Sequence, residues 1–155
     1  MAVDHLIIRA ATRDDVPAIV AMLADDDLGS TREEAAATIP QSYYDAFDAI
    51  ERDANNLILV ACDREEVVGT LQLTFTPGLS YRGGWRATVE SVRAARTRRG
   101  RGIGTALMKR ALELARERQC VLLQLATHKS RTAAQRFYER LGFQASHIGM
   151  KIQVQ

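Results

Sequence analysis

Arginine and glycine crowd one short stretch of this chain, Arg98-Arg99-Gly100-Arg101-Gly102-Ile103-Gly104-Thr105. Glycine lets a backbone come close to a ligand and turn successive N–H groups toward it. A helix that starts directly after such a turn adds N–H groups with no intrahelical acceptor and a positive partial charge. Flanking arginines add charge-assisted hydrogen bonds. Together these groups describe a cradle for an anion with several oxygens, a pyrophosphate above all. The spacing is not the Gly-x-Gly-x-x-Gly of a dinucleotide fold, and no acidic residue follows at the ribose-binding distance. No Gly-Lys-Ser/Thr closes the run, so it is not a P-loop either. With Arg93 and Arg96 included, five arginines fall within nine residues, which raises a nucleic-acid surface as a rival. Such a surface needs interleaved aromatic side chains, and none stands near these arginines. A net charge of +2 over 155 residues gives that rival no support, and no nucleic-acid partner is expected.

Other reactive side chains offer less. Cys62 and Cys120 lie in or beside apolar runs and read as core thiols. They have neither metal-ligand spacing nor an export signal before them, so we expect a reducing, cytoplasmic compartment and no disulfide. Cys120 has no evident histidine partner and is rejected as a nucleophile. His5, His128 and His147 are scattered, and no metal is expected. No apolar run approaches the roughly 18 residues of a membrane span, so no membrane partner is expected. Met1 to Arg9 carries no basic stretch before an apolar one, which argues against a signal peptide.

The elements that position the cradle follow from period and punctuation. Leu6-Ile7-Ile8 opens as a strand. Thr12 or Asp14 caps a helix with Pro17 in its first turn and Val16, Ile19, Val20 and Leu23 at helical period. Asp25-Asp26-Asp27 and Gly29 end it. Ser30 or Thr31 begins the next helix, with Glu33 and Glu34 as capping-box partners. Pro40 breaks or kinks that helix, and Tyr43, Phe47 and Ile50 continue a stripe. Leu57–Cys62 and Val67–Phe75 form an antiparallel hairpin about a polar turn. Arg86–Val92 alternates as a third strand. Ile103, Leu107, Ala111, Leu114 and Ala115 mark a long amphipathic helix. Val121–Ala126 is a buried strand, Ala133, Ala134, Phe137 and Leu141 lie on one helix face ended by Gly142, and Met150–Val154 is a last strand. The fold class is α/β, one domain over residues 1–155, a mixed central sheet flanked by helices in the order β-α-α-β-β-β-α-β-α-β.

Arg99-x-x-Gly102-x-Gly104, after a strand and opening a helix, resembles the acyl-CoA pyrophosphate motif of the GNAT acetyltransferase superfamily. Ala134-x-x-Phe137-Tyr138-Glu139-Arg140-Leu141-Gly142-Phe143 resembles that family's second signature. The resemblance covers almost the whole chain and is weakest over residues 25–55. Thr127, Arg131, Ala134, Arg136-Phe137-Tyr138 and Ser146-His147 are similar to the aminoalkylphosphonate N-acetyltransferase branch. Many members carry asparagine where Arg131 stands, so its contact to the pantetheine arm is a departure from the pattern.

The resemblance implies acetyl-CoA as co-substrate, held by Val92, Arg98, Arg99, Gly100, Arg101, Gly102, Ile103, Gly104, Thr105 and Arg131. It implies direct attack of a primary amine on the thioester. A lysine-like amine titrates near about 10.4 and must lose a proton first. Glu90, on the strand before the cradle, is the candidate base, directly or through water. A backbone N–H near Val92 is the candidate oxyanion donor. Tyr138 is the candidate acid for the departing thiolate. Acceptor contacts are expected from residues 25–34 and 79–85. There, the acidic run is either an amine attractor or, more often, a solvated helix end, and Trp85 either flanks the acceptor or seals the core. A small-molecule amine is favoured. A protein lysine or N-terminus is the alternative, and a catalytically silent CoA-binding regulatory domain is a third reading. A homodimer fits the family pattern.

Overall fold

Thr12 and Asp15 set the entrance to the first helix. The Thr12 backbone N–H donates to Asp15 Oδ2 at 2.7 Å in a capping box, and one 3-10 turn, Arg13–Asp15, leads into α1, Val16–Ala24. Of the two expected caps, Thr12 stands at the N-cap of the 3-10 turn and Asp14 lies inside that turn, while Asp15 occupies the N-cap position of α1 itself. The computed structural model describes residues 5–25, 28–33 and 37–155. Asp26, Asp27 and Glu34 of the expected acidic run and capping box lie outside them. Among the described residues the helix expected from Ser30 is a single 3-10 turn, Gly29–Thr31. The second helix, α2, starts after Pro40 and spans Gln41–Arg52. Proline removes a donor and restricts its neighbour, so it opens this helix rather than kinking one.

The sheet is mixed and five-stranded, in the order β1-β2-β3-β4-β5. Its members are β1 Leu6–Ala10, β2 Asn56–Asp63, β3 Glu66–Thr76, β4 Arg86–Ala94 and β5 Leu122–Leu125. The first four pair antiparallel in sequence. The hairpin expected from the period change is present, with Asp63 opposite Glu66. Val60 and Cys62 pack against Ile19 of α1, while Val16, Val20 and Phe47 join α1 to α2. α3, Ile103–Glu117, lies across β2, β3 and β4. Its apolar stripe is the expected one: Ile103, Leu107, Met108, Ala111 and Ala115 are all buried.

Two compact units divide the chain, Met1–Gln124 and Leu125–Gln155. Within the second, α4 spans Thr132–Arg140. Gly142 follows at φ 98°, where glycine takes the left-handed turn without steric cost. The observed order agrees with expectation through α4. The expected last strand does not form: residues 143–155 carry neither helix nor strand. Its alternating pattern is suited to a sheet, but a strand exists only where another supplies its ladder.

Candidate active site

Between β3 and β4 the pairing slips. Thr70 faces Arg93 and Gln72 faces Glu90, so Leu71 alone on β3 stands against Ser91 and Val92 on β4. Ser91 takes φ 55°, a conformation that strains a residue with a Cβ. This is a β-bulge, which leaves one residue without a counterpart on that side and re-aims its neighbours. Upstream, Ala87 and Val89 are buried in alternation. At the bulge the alternation fails, and Glu90 and Ser91 are both exposed. Glu90 thus reaches solvent beside the strained segment, and Val92 sits half-buried just past it. Nothing in the sequence marks Ser91, since serine carries no preference for that conformation.

The strand then runs through Arg96–Arg98, one 3-10 turn, into the glycine turn. Gly102 caps α3 at φ 82° and Gly100 stands at φ 76°. A Cβ built on either would meet nothing within 4 Å, so the backbone there lies open. The helix has no side-chain cap, which leaves the first-turn N–H groups of Ile103, Gly104 and Thr105 directed to whatever binds. Ile103 anchors this end at 2% exposure. It can do so because Gly69 lies beneath it: a Cβ there would come within 2.5 Å of Ile103 Cγ2. Sequence reading missed Gly69, although a glycine inside a strand signals a close approach.

The arginines divide their work. Arg98 donates to Asp63 Oδ2 at 2.7 Å and to Glu66 Oε2 at 2.8 Å. Its guanidinium is engaged by two carboxylates, and it ties the loop to the β2–β3 turn. Arg96 pairs with Asp25 at the end of α1, which neutralises the one described member of the acidic run. Arg99 reaches the Asp25 carbonyl at 3.4 Å. Arg99 and Arg101 are exposed beside the glycine turn. The donor set fits a pyrophosphate: open left-handed glycines, an uncapped helix start and flanking guanidinium groups.

Arg131 and Tyr138 belong to the second unit. Arg131 is the N-cap of α4, and its N–H donates to the His128 carbonyl at 2.8 Å. His128 Nδ1 lies 2.7 Å from Ser130 Oγ, a local turn contact. Tyr138 stands edge-on to Phe137 and Phe143, with centroids at 5.1 and 5.9 Å. An open groove of about 660 Å³ has Pro17, Ala21, Ile39, Gln41 and Tyr44 in its wall, none of them in the stretches 25–34 and 79–85 from which acceptor contacts were expected. In the loop before β4, Tyr81 and Arg82 hold φ 54° and 58°, and the Trp85 carbonyl accepts from Val121 N–H at 2.8 Å. Cys62 and Cys120 are free thiols, and burial pushes that of Cys120 up. Among the described residues no group of three metal-ligating side chains converges, and no helix is long and apolar enough to cross a membrane.

Residues 20–143 match the GNAT acetyltransferase family. The chain belongs to that family. It is an acetyl-CoA-dependent N-acetyltransferase of GNAT fold. An aminoalkylphosphonate N-acetyltransferase from Salmonella typhimurium is 32% identical over 108 residues, which is 70% of either chain. A protein from Bacillus halodurans described as a transcriptional regulator is 53% identical. It has a TM-score of 0.94, with 96% of this chain and 99% of that one aligned. A Clostridium acetobutylicum protein solved with acetyl-CoA shares the fold at a TM-score of 0.74 and 18% identity, over 96% of each chain.

Proposed function

We propose that this GNAT domain, residues 1–155, transfers the acetyl group of acetyl-CoA to the primary amine of a small molecule by direct attack. The observation that carries the reading is the continuous path from the bulge at Ser91 to the open, uncapped start of α3. Bound there, acetyl-CoA supplies the activated acetyl thioester. Arg99, Gly100, Arg101, Gly102, Ile103, Gly104 and Thr105 hold its pyrophosphate through backbone N–H groups and guanidinium charge. Arg98 supports that loop through Asp63 and Glu66. The bulge turns a backbone N–H near Val92 toward the carbonyl oxygen, where charge develops during attack. Glu90 takes the ammonium proton, directly or through water. Tyr138 returns a proton to the departing thiolate, and Arg131 meets the pantetheine arm. The Salmonella relative acts on an aminoalkylphosphonate, which supports a small amine as acceptor. The half-buried apolar wall around Tyr44 and Ile39 suits the carbon frame of such a molecule. Two free thiols suit the cytoplasm.

The description of the Bacillus halodurans relative as a regulator favours one second reading, a protein lysine or N-terminal amine as acceptor. Calorimetric titration of acetyl-CoA, with NAD and ATP as controls, tests the cradle. Thiol release across a panel of aminophosphonates, aminoglycosides and polyamines then tests the acceptor. Micromolar binding of acetyl-CoA and turnover with one small amine are the expected results. Failure to bind acetyl-CoA overturns the site assignment. Turnover only with peptide amines replaces the first acceptor with the second.

A further inference from the structure

We propose that Gln72 binds the acceptor amine beside Glu90, its side-chain oxygen holding one N–H of the ammonium group while Glu90 takes the proton of another. The inference rests on the small-amine reading above and adds to it a residue that selects the acceptor. β3 lies between β2 and β4, and Gln72 on β3 stands directly opposite Glu90 on β4. Directly opposed residues project from the same face of a sheet, with Cβ atoms about 5 Å apart. Pairing is regular from this rung on through Leu73 and Val89, so the bulge on its other side does not separate the two side chains.

A series of hydrogen bonds sets which end of the Gln72 amide turns to β4. The Asp53 carboxylate accepts from the Asn55 N–H at 2.9 Å and from Asn56 Nδ2 at 2.7 Å, and these donors hold its carboxyl below the usual carboxylate range. An ionised carboxylate only accepts, so the Asn56 amide must turn its nitrogen to Asp53. Its Oδ1 then faces β3, where it accepts from Thr74 Oγ1 at 2.8 Å and from Gln72 Nε2 at 3.2 Å. With Nε2 drawn toward β2, Gln72 Oε1 is left on the β4 side. Among the described residues no donor serves either Gln72 Oε1 or the Glu90 carboxylate.

Two neighbouring acceptors without a donor define the ligand they suit. A primary ammonium carries a positive charge and three N–H donors, a hydroxyl has one donor and no charge, and an anion is repelled by Glu90. The pair therefore selects an amine over an alcohol. When Glu90 removes one proton, the electrons of that N–H bond become the lone pair that attacks the acetyl carbon. The carbon–sulfur bond then breaks and the thiolate departs. The nitrogen regains positive charge as it bonds to carbon, so the N–H contact to Gln72 persists through attack. An interaction equal in ground and transition states acts on KM rather than on kcat.

Initial rates at saturating acetyl-CoA, with aminomethylphosphonate, kanamycin and spermidine as probes, test the assignment. Gln72→Met keeps the length of the side chain and removes the amide. It should raise the KM of the accepted amine at least about tenfold, with kcat within about threefold of wild type. Calorimetric affinity for acetyl-CoA and the thermal transition should be retained. Gln72→Glu returns an oxygen to the β4 side and should restore most of the lost amine affinity. An unchanged KM in Gln72→Met overturns the inference alone, as does a Gln72→Glu enzyme no better than Gln72→Met. A KM for the amine that rises together with the Kd for acetyl-CoA gives Gln72 a role in the scaffold and overturns it as well. A wild type that binds acetyl-CoA but acetylates none of the three amines overturns it together with the small-amine reading.

Discussion

At the scale of single residues, the proposed site divides its tasks between Glu90 on β4 and Tyr138 on α4. Glu90 is exposed and Ser91 strained beside it, so position rather than chemistry distinguishes this glutamate from others on the surface. Glu90→Gln should lower kcat by about 10²–10⁴-fold while the calorimetric affinity for acetyl-CoA stays as in the wild type. Unchanged turnover at pH 7 would remove Glu90 as the base. Tyr138→Phe keeps the ring contacts to Phe137 and Phe143 and removes the hydroxyl. Turnover should fall more than acetyl-CoA affinity, and pre-steady-state thiol release separates the two. Both are candidates through the family resemblance, Glu90 from its place on the strand before the cradle and Tyr138 from the second motif. Neither residue type marks itself, and the bulge that exposes Glu90 has no signature in a run of valine, glutamate, serine and valine.

On the proposed reading, the element that decides binding is the start of α3. Its location follows from a helix that Ile103 and Leu107 pin against the sheet, both at 2% exposure or less. Gly69→Ala would place a Cβ within 2.5 Å of Ile103 Cγ2 and 3.0 Å of Leu107 Cδ1. Overpacking of this kind costs about 1–3 kcal/mol. The first turn of α3 must move to relieve it, so acetyl-CoA binding should weaken together with stability, in denaturant titration and calorimetry respectively. Gly102→Glu acts on the same turn from the open side. It forces a side chain into a left-handed position at φ 82° and sets a carboxylate against an anion. Acetyl-CoA binding should vanish while the fold persists; retained affinity would mean the glycine turn is structural. The glycine run was readable because its residue types are needed locally. The task of Arg98 was not, because Asp63 and Glu66 lie more than thirty positions away along the chain.

On the scale of the whole molecule, the entrance of α1 is tied to the edge of the sheet by Arg9 and Asp15. Asp15 is 7% exposed, and the Arg9 guanidinium, with help from Thr12, holds its carboxyl below the usual carboxylate range. A carboxylate whose pKa is depressed by folding stabilises the protein above its unfolded pKa and loses that contribution as pH falls through the folded value. Asp15→Asn should therefore cost about 1–2 kcal/mol at pH 7, given the partial exposure of Arg9. Urea denaturation at pH 7 and again near pH 3 should show the wild-type advantage shrinking with acid. An advantage that is equal at both pH values would mean that the pair contributes shape rather than charge.

The sequence by itself determined what depends on neighbours along the chain. It located the strand-to-helix glycine turn, the β2–β3 hairpin, the apolar stripe of α3 and the family to which the two motifs belong. These are legible because helix and strand periods, caps and turn glycines act over a few residues. Tertiary structure alone decided what depends on residues far apart. It exposed the extra residue of β4 at the bulge and set Gly69 under Ile103. It turned Arg98 toward the β2–β3 turn, and it left residues 148–154 without a ladder despite a strand-like pattern. A strand, a bulge and an ion pair are each completed by a partner, and distance in space is not written in spacing along the chain.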